Sequence, residues 1–285
     1  SFAHHEVIFT KDRKNNYNPL KKKKDGDSHK IVEECMLLAN KIAAKEIIDL
    51  NKDSNRSGLF RNHDIPDQKN EDYIKNIIAK FSKAKTDSQK LTIKSINEFF
   101  NYFHGTDLYN IISMLFIRKM QKAFYSTYSI GHYGLGFNEY THFTSPIRRY
   151  SDLLVHRIIK KRFKNFNTLP DSIIFCNSGE LKAKQASRDY TKIKSLRWLK
   201  KQENKILHGI ITNIKPSQIT LCEISTETTG YIETRTLPRD LYNLSSNKLT
   251  LLGKFSKNRY DVGKKIDIKI AKIDLLNQHV TFTLQ

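Results

Sequence analysis

The stretch Tyr140-Thr141-His142-Phe143-Thr144-Ser145-Pro146-Ile147-Arg148-Arg149-Tyr150-Ser151-Asp152-Leu153-Leu154-Val155-His156-Arg157 decides the reading of this chain. It predicts a helix start, with Ser145 as N-cap and Pro146 at the first helical position. Leu153, Leu154, Ile158 and Ile159 then supply an apolar stripe at helical spacing. Arg148 and Arg149 fall in the predicted first turn, where the helix macrodipole favours carboxylates over cations. A local rule broken at a helix end marks a candidate functional site. Free backbone N–H groups and two guanidinium forks together make a receptor for phosphate. Asp152 supplies the other reading, because it lies within pairing distance of both arginines on a helix face. Spacing alone leaves phosphate binding and surface pairing open. His156 and Arg157 carry the cationic surface one turn further.

Working outward, the composition fits a polyanionic partner. Fifty Lys+Arg stand against 29 Asp+Glu, a formal net charge of +21 over 285 residues. Such an excess raises the local concentration of polyanions and makes their binding salt-dependent. The abundance of Lys, Asn and Ile is equally a mark of coding bias, and Lys21 to Lys24 reads as a solvated loop. No apolar run approaches the ~20 residues needed to span a bilayer, and no secretory signal is recognisable. Cys35, Cys176 and Cys222 are far apart and lack paired metal spacing. The expectation is a cytoplasmic protein without a membrane partner.

The chain divides into two parts by pattern. Residues 5–11 alternate like a strand, and a long helix is expected from about Ser28, carrying Ile31, Met36, Leu38, Ile42, Ile47 and Ile48. A short strand over Leu59 to His63 precedes helices near 69–83 and 92–104, with Gly105 as a C-cap and Asp107 capping the next helix. A further helix is expected from Asn177 or Ser178 to about Asn204, with Leu181, Ile193, Leu196 and Leu199 as its buried contacts. Trp198 is read as packing at a domain junction, a stacking role being the alternative. Beyond residue 205 five short alternating segments follow: Ile206 to Ile214, Gln218 to Ile224, Gly230 to Glu233, Lys265 to Ile273 and His279 to Leu284. Strand sets of this size close into small barrels. By resemblance to OB-fold RNA-binding modules, Phe255 and Tyr260, flanked by Lys254, Lys257 and Arg259, are the expected stacking contacts, core packing being the alternative for each.

The segment Gly131 to Arg157, GHYGLGFNEYTHFTSPIRRYSDLLVHR, resembles the signature region of the RNase II/RNase R (RNB) family of exoribonucleases, closest to its RNase R branch. Ile31 to Asn40 (IVEECMLLAN), Leu59 to His63 (LFRNH) and Arg118 to Tyr125 (RKMQKAFY) agree in the family's order. The resemblance implies an α+β protein: the mostly helical C-terminal part of an RNB catalytic domain over 1–204, then a small antiparallel five-stranded OB-fold barrel over 205–285. It implies 3′→5′ hydrolysis of single-stranded RNA to nucleoside 5′-monophosphates by a monomer, with other RNA-decay factors as associates. Mapped onto this sequence, Arg148 would stabilise the phosphate under attack, with Arg149, His156, Arg157 and Ser145 around it. Glu33 or Glu34 would hydrogen-bond sugar hydroxyls near the 3′ end, pairing with a lysine being the alternative. Phe2 maps to the aromatic of a short F-x-x-x-E strand and would stack on a terminal base.

The family holds Mg²⁺ with a cluster of closely spaced aspartates, and this sequence has none. The expectation is that the metal ligands lie outside this chain, which reads as part of a longer enzyme. The alternative is a non-catalytic RNA-binding fragment or remnant. Asp64, Asp67, Glu71 and Asp72 are the one acidic patch, but acidic residues at a helix start are ordinary dipole complements. His4 and His5 would point to opposite faces of a strand.

Overall fold

The computed structural model describes residues 7–11, 17–21, 26–52, 58–81, 93–103 and 107–285. Phe2, His4, His5, Gly105 and Lys22 to Lys24 lie outside them. Strands β1 (Val7–Lys11) and β2 (Tyr17–Lys21) form an antiparallel ladder, so Lys21 belongs to a strand rather than a loop. Helix α1 (Asp27–Lys52) buries Asn40, Ala43, Ala44 and Ile47, the i, i+3, i+4, i+7 pattern of one helix face. Gly58 then lets the chain pass close under that face. A Cβ there would stand 2.6 Å from Ile47 and 2.4 Å from the Phe60 ring. Strand β3 (Phe60–Asn62) pairs antiparallel with β4 (Phe124–Ser126).

Between those two strands lie α2 (Gln68–Phe81), α3 (Ile93–Phe103) and α4 (Asp107–Ile117). Asp67 caps α2 by accepting the Asn70 N–H at 2.8 Å. The Phe99 and Phe100 rings of α3 pack on Phe116 of α4 at 5.7 and 4.9 Å between centroids.

Helix α5 (Tyr150–Ile159) starts later than expected, and Ser145 is not its N-cap. Arg149 takes that position with extended backbone (φ −124°, ψ 113°), and Pro146 to Arg148 form a separate turn closed by Arg149 N–H on the Ser145 carbonyl at 3.0 Å. The reason is Asp152, whose carboxylate sits in the first helical turn, reaches back to the Ser145 N–H at 2.8 Å and holds the turn outside the helix. Helix α6 (Leu169–Lys200) starts eight residues before the expected Asn177, with Pro170 inside its first turn, where the missing N–H costs nothing. It is buried only at its ends: Leu169 and Ile173 join the core around α1 and α5, whereas Leu196 and Leu199 join the core of the barrel. Leu181, expected buried, is exposed at mid-helix. Trp198 is half-buried against the barrel core, at the junction.

Strands β5 (Leu207–Lys215), β6 (Gln218–Glu223) and β7 (Thr229–Glu233) match the first three expected segments. A short sheet of β8 (Tyr242–Leu244), β9 (Thr250–Gly253) and β10 (Arg259–Asp261) intervenes before β11 (Lys265–Asp274) and β12 (His279–Leu284). The barrel closes in the order β5-β6-β7-β12-β11, and all its pairings are antiparallel except β7 with β12. Its interior is Ile211, Ile219, Leu221, Ile232, Ile268 and Phe282, all at 0% exposure. Those side chains belong to one apolar cluster with Ile74, Phe100 and Phe116, so helices α2 to α4 and the barrel share a core. No helix among the described residues is long and apolar enough to cross a membrane.

Candidate phosphate-binding site

The loop 140–149 carries the arginines, and it is fastened from four sides. Asn40, buried in the apolar stripe of α1, accepts the N–H groups of Phe143 (2.8 Å) and Thr144 (3.2 Å) and donates to the Tyr140 hydroxyl (2.9 Å). The Thr141 hydroxyl donates to the Leu59 carbonyl at 2.7 Å. His156 Nε2 meets the Phe143 carbonyl at 2.9 Å, and the two rings stack at 4.0 Å. Asp152, at 0% exposure, accepts from Ser145 N–H and from Arg149 Nη2 at 2.8 Å. A loop so held loses little conformational freedom on binding, which is what positioning a charge requires.

The two arginines end up in different states. Arg149 is mostly buried and ion-paired with Asp152, so the pairing reading of the motif is right for this residue. Arg148 is exposed at the tip of the turn and pairs with no carboxylate among the described residues. Arg157 is also exposed, at the far end of α5. His156 is committed to the Phe143 backbone, and Ser145 contributes its backbone to the turn.

Beneath the loop lies a second, deeper pair. Arg61 of β3 is bidentate to Glu180 of α6 at 2.7 and 2.8 Å and stacks over the Tyr125 ring at 4.5 Å. Burial pushes the Glu180 carboxyl up, but hydrogen bonds from Arg61 and Lys184 outweigh it and hold the pKa below the usual range. The Tyr125 hydroxyl meets His142 Nδ1 at 2.7 Å. Burial, then the charges of Arg149, Arg61, His132 and Arg148, push His142 down to about 2. Burial and the neighbouring His63 and Arg61 push His132 down to about 4. These histidines are neutral bases under a cationic loop.

A cleft of about 500 Å³ opens beside the loop, lined by Glu33, Asn40, Tyr140, Thr144 and Arg149. Thr144 Oγ1 and Arg149 Nε are buried there without a hydrogen-bond partner, and such groups call for a ligand or water. A larger cleft of about 720 Å³ is lined by Glu33, Glu34, His63, Phe100, Tyr133 and Phe137. The structure thus places Glu33 on the same cleft as Arg149, and Glu34 only on the larger cleft. Asn40, Arg61, Tyr140, His142 and Glu180 were missed as site residues. Asn40 had one signal, an amide in an otherwise apolar helical stripe.

On the barrel side the two expected aromatics part ways. Phe255 is 71% exposed, with Lys254 Nζ 5.5 Å from its ring centre. Tyr260, expected to face RNA, is instead 7% exposed and packed in the core beside Tyr242. The alternation of β10 explains this: Arg259 points out, so its neighbour must point in. Burial pushes the Tyr260 hydroxyl up to about 12.

The acidic patch is occupied by local duties. Asp67 caps α2, Asp64 accepts from the Ile65 N–H, Gln68 donates to Asp72, and Glu71 pairs with Lys75. Among the described residues no group of three or more His, Cys, Asp or Glu is placed to hold a metal ion. The donor set that a hydrolytic metal centre needs does not fit these residues.

Residues 1–165 match the RNB domain, and the chain belongs to that family. Among individual relatives, it is 31% identical over 269 residues to ribonuclease R of Buchnera aphidicola from Schizaphis graminum, covering 90% of this chain and 36% of that protein. It is 27% identical to ribonuclease R of Thermotoga maritima over 277 residues, 92% of this chain and 38% of the relative. In fold it superposes on Mycoplasma genitalium RNase R, solved in complex with ribose-methylated single-stranded RNA, with a TM-score of 0.86 at 24% identity, covering 100% of this chain and 46% of that one. The chain therefore spans less than half the length of these relatives.

Proposed function

We propose that this chain supplies the phosphate-clamping and RNA-binding part of an RNase R-like 3′→5′ exoribonuclease, which hydrolyses single-stranded RNA to nucleoside 5′-monophosphates in the cytoplasm. The observation that carries the reading is Arg148, an exposed guanidinium on a loop fastened by Asn40, Asp152 and His156. Its fork suits a phosphate bidentately and offsets charge that grows on the phosphate during attack. Arg149, already paired with Asp152, holds the loop. Glu33, on that same cleft, is the carboxylate positioned to accept sugar hydroxyls. Residues 205–285 are assigned as an OB-fold RNA-binding domain, with Phe255 as its stacking contact. RNase R of Mycoplasma genitalium has been solved with single-stranded RNA, which supports the same class of partner here.

Magnesium belongs to this reading through the family, as the ion that activates water and orients the phosphate. The described residues offer no set of ligands for it. That observation favours a second reading for the isolated chain, RNA binding without hydrolysis.

The test is digestion of 3′-tailed single-stranded RNA, labelled at its 5′ end, by the purified chain with Mg²⁺. The expected result is salt-sensitive binding, weakened in Arg148→Ala, without stepwise shortening. A ladder of products that vanishes in Arg148→Ala would refute the second reading and require a ligand set elsewhere in the chain. Binding indifferent to Arg148 would overturn the phosphate clamp.

A further inference from the structure

Asp240 is a half-buried carboxylate in a strongly basic chain, hydrogen-bonded to the backbone of the aromatic assigned to stack on RNA. Charge alone makes it a misfit, since an anion beside a polyanion's path repels it. Its hydrogen bonds give it a different task. Asp240 Oδ1 accepts the N–H groups of Leu241 (2.6 Å) and Phe255 (3.0 Å). Oδ2 accepts the N–H of Ser256 at 2.8 Å and its hydroxyl at 2.5 Å. One carboxylate therefore ties the start of β8 to the β9–β10 turn and fixes both residues at the tip of that turn. The turn itself is tight, with Lys257 in left-handed backbone (φ 56°) and Gly253 N–H on the Asn258 carbonyl at 2.9 Å.

Gly253 independently marks the same contact. A Cβ built there would stand 2.3 Å from Asp240 Oδ2 and 2.7 Å from Ser256 Oγ. The backbone thus leaves room for the clamp and for nothing else. The product is an aromatic ring standing 71% exposed on a turn that cannot relax. An exposed ring on a loose turn would fold back onto apolar surface, or lose entropy on stacking.

We infer that Asp240 is a positioning residue for RNA: it holds the Phe255 turn so that the ring is presented for base stacking, and it never touches the RNA. This rests on the reading that Phe255 stacks on RNA. The four hydrogen bonds also hold the Asp240 carboxyl down to about 2, chiefly through the Ser256 hydroxyl, so the clamp is closed throughout the neutral range.

The clamp and the bare charge predict opposite signs. Losing a negative charge should tighten RNA binding, whereas losing the clamp should weaken it by about the stacking contribution, roughly five- to tenfold or more. The experiment measures binding of the full chain to single-stranded oligoadenylate containing 2-aminopurine, by affinity and by fluorescence quenching. The variants are Phe255→Ala, Asp240→Ala, Gly253→Ala and the Asp240→Ala/Phe255→Ala double variant. The expected result is that all three single variants weaken binding and lose quenching to a similar degree, the double variant being no weaker than Phe255→Ala. The salt slope should not change, because no phosphate contact is removed. Thermal melting of each variant reports whether the barrel stays folded, and Gly253→Ala tests the clamp without altering charge. If Phe255→Ala weakens binding while Asp240→Ala binds as tightly as the parent or more tightly, the clamp is refuted. If Phe255→Ala itself binds like the parent, the stacking reading of Phe255 fails, and the inference falls with it.

Discussion

Replacing Asn40 with alanine removes one side chain and three hydrogen bonds from the base of the arginine loop. The amide is 3% exposed, and its partners are the Phe143 and Thr144 N–H groups and the Tyr140 hydroxyl. Each of these partners left without its hydrogen bond costs about 1–3 kcal/mol. The 3.2 Å bond to Thr144 is the weakest of the three, and the tyrosine hydroxyl can reorient, so the sum falls to about 3–5 kcal/mol. That is a large share of a domain's usual 5–15 kcal/mol. Urea unfolding should show a lower midpoint at an unchanged slope. Asn40→Asp keeps the acceptor for both N–H groups and should recover part of the loss. RNA binding, measured where the variant is still folded, should fall toward the level of Arg148→Ala, because the turn that presents Arg148 has lost its tether. A destabilisation below about 1 kcal/mol with unchanged RNA affinity would refute the idea that α1 holds this loop.

Arg148→Ala should leave stability within about 0.5 kcal/mol, as an exposed residue without structural partners, and should lower the salt slope of single-strand binding by about 0.7. Acid should destabilise the fold: His142 titrates near its usual 6.5 when unfolded and at about 2 when folded, so the unfolded state binds more protons between those values. Its contribution is intact above about pH 6.5 and falls by about 1.4 kcal/mol for each pH unit below it, a slope that His142→Gln should reduce in pH-dependent urea melts. Glu180→Gln should cost about 2–3 kcal/mol, because it strands the Arg61 guanidinium, whose side chain is 6% exposed. Arg61→Met should cost less in the same melts, since Glu180 keeps Lys184 at 2.6 Å.

What was legible in the sequence was whatever repeats locally. Strands β6, β11 and β12 alternate apolar and polar residues over five or more positions, and α2 and α3 carry helical stripes, so these elements were found within a few residues. Strands β8 and β10, at three residues each, are too short for a period to show, and Tyr260 was misplaced with them. Ser-Pro at 145–146 is equally the signature of a helix start and of a turn. Only the Asp152 carboxylate on the Ser145 N–H decides between them. The supports of the site were hidden by distance along the chain. Asn40 meets Phe143 across 103 positions, and Arg61 meets Glu180 across 119. No spacing rule connects residues so far apart, so the motif disclosed the tip of the site and not its foundation.

That foundation bears on how the tip works. His63, His132 and His142 all lie below their usual titration range, with burial as the leading cause in each. Near neutral pH these three histidines therefore add no positive charge, and three guanidinium groups stand at and beneath the loop. Two of these are spoken for, Arg61 by Glu180 and Arg149 by Asp152. A cation that already shares its donors with a carboxylate gains less from a phosphate, because the phosphate must compete for them. Arg148 has no such competitor among the described residues, so its five donors are available as a fork. Lysine in its place would offer a point charge without that geometry. The second arginine of the pair then makes sense as the partner that Asp152 consumes: it fixes the turn, while its neighbour stays open.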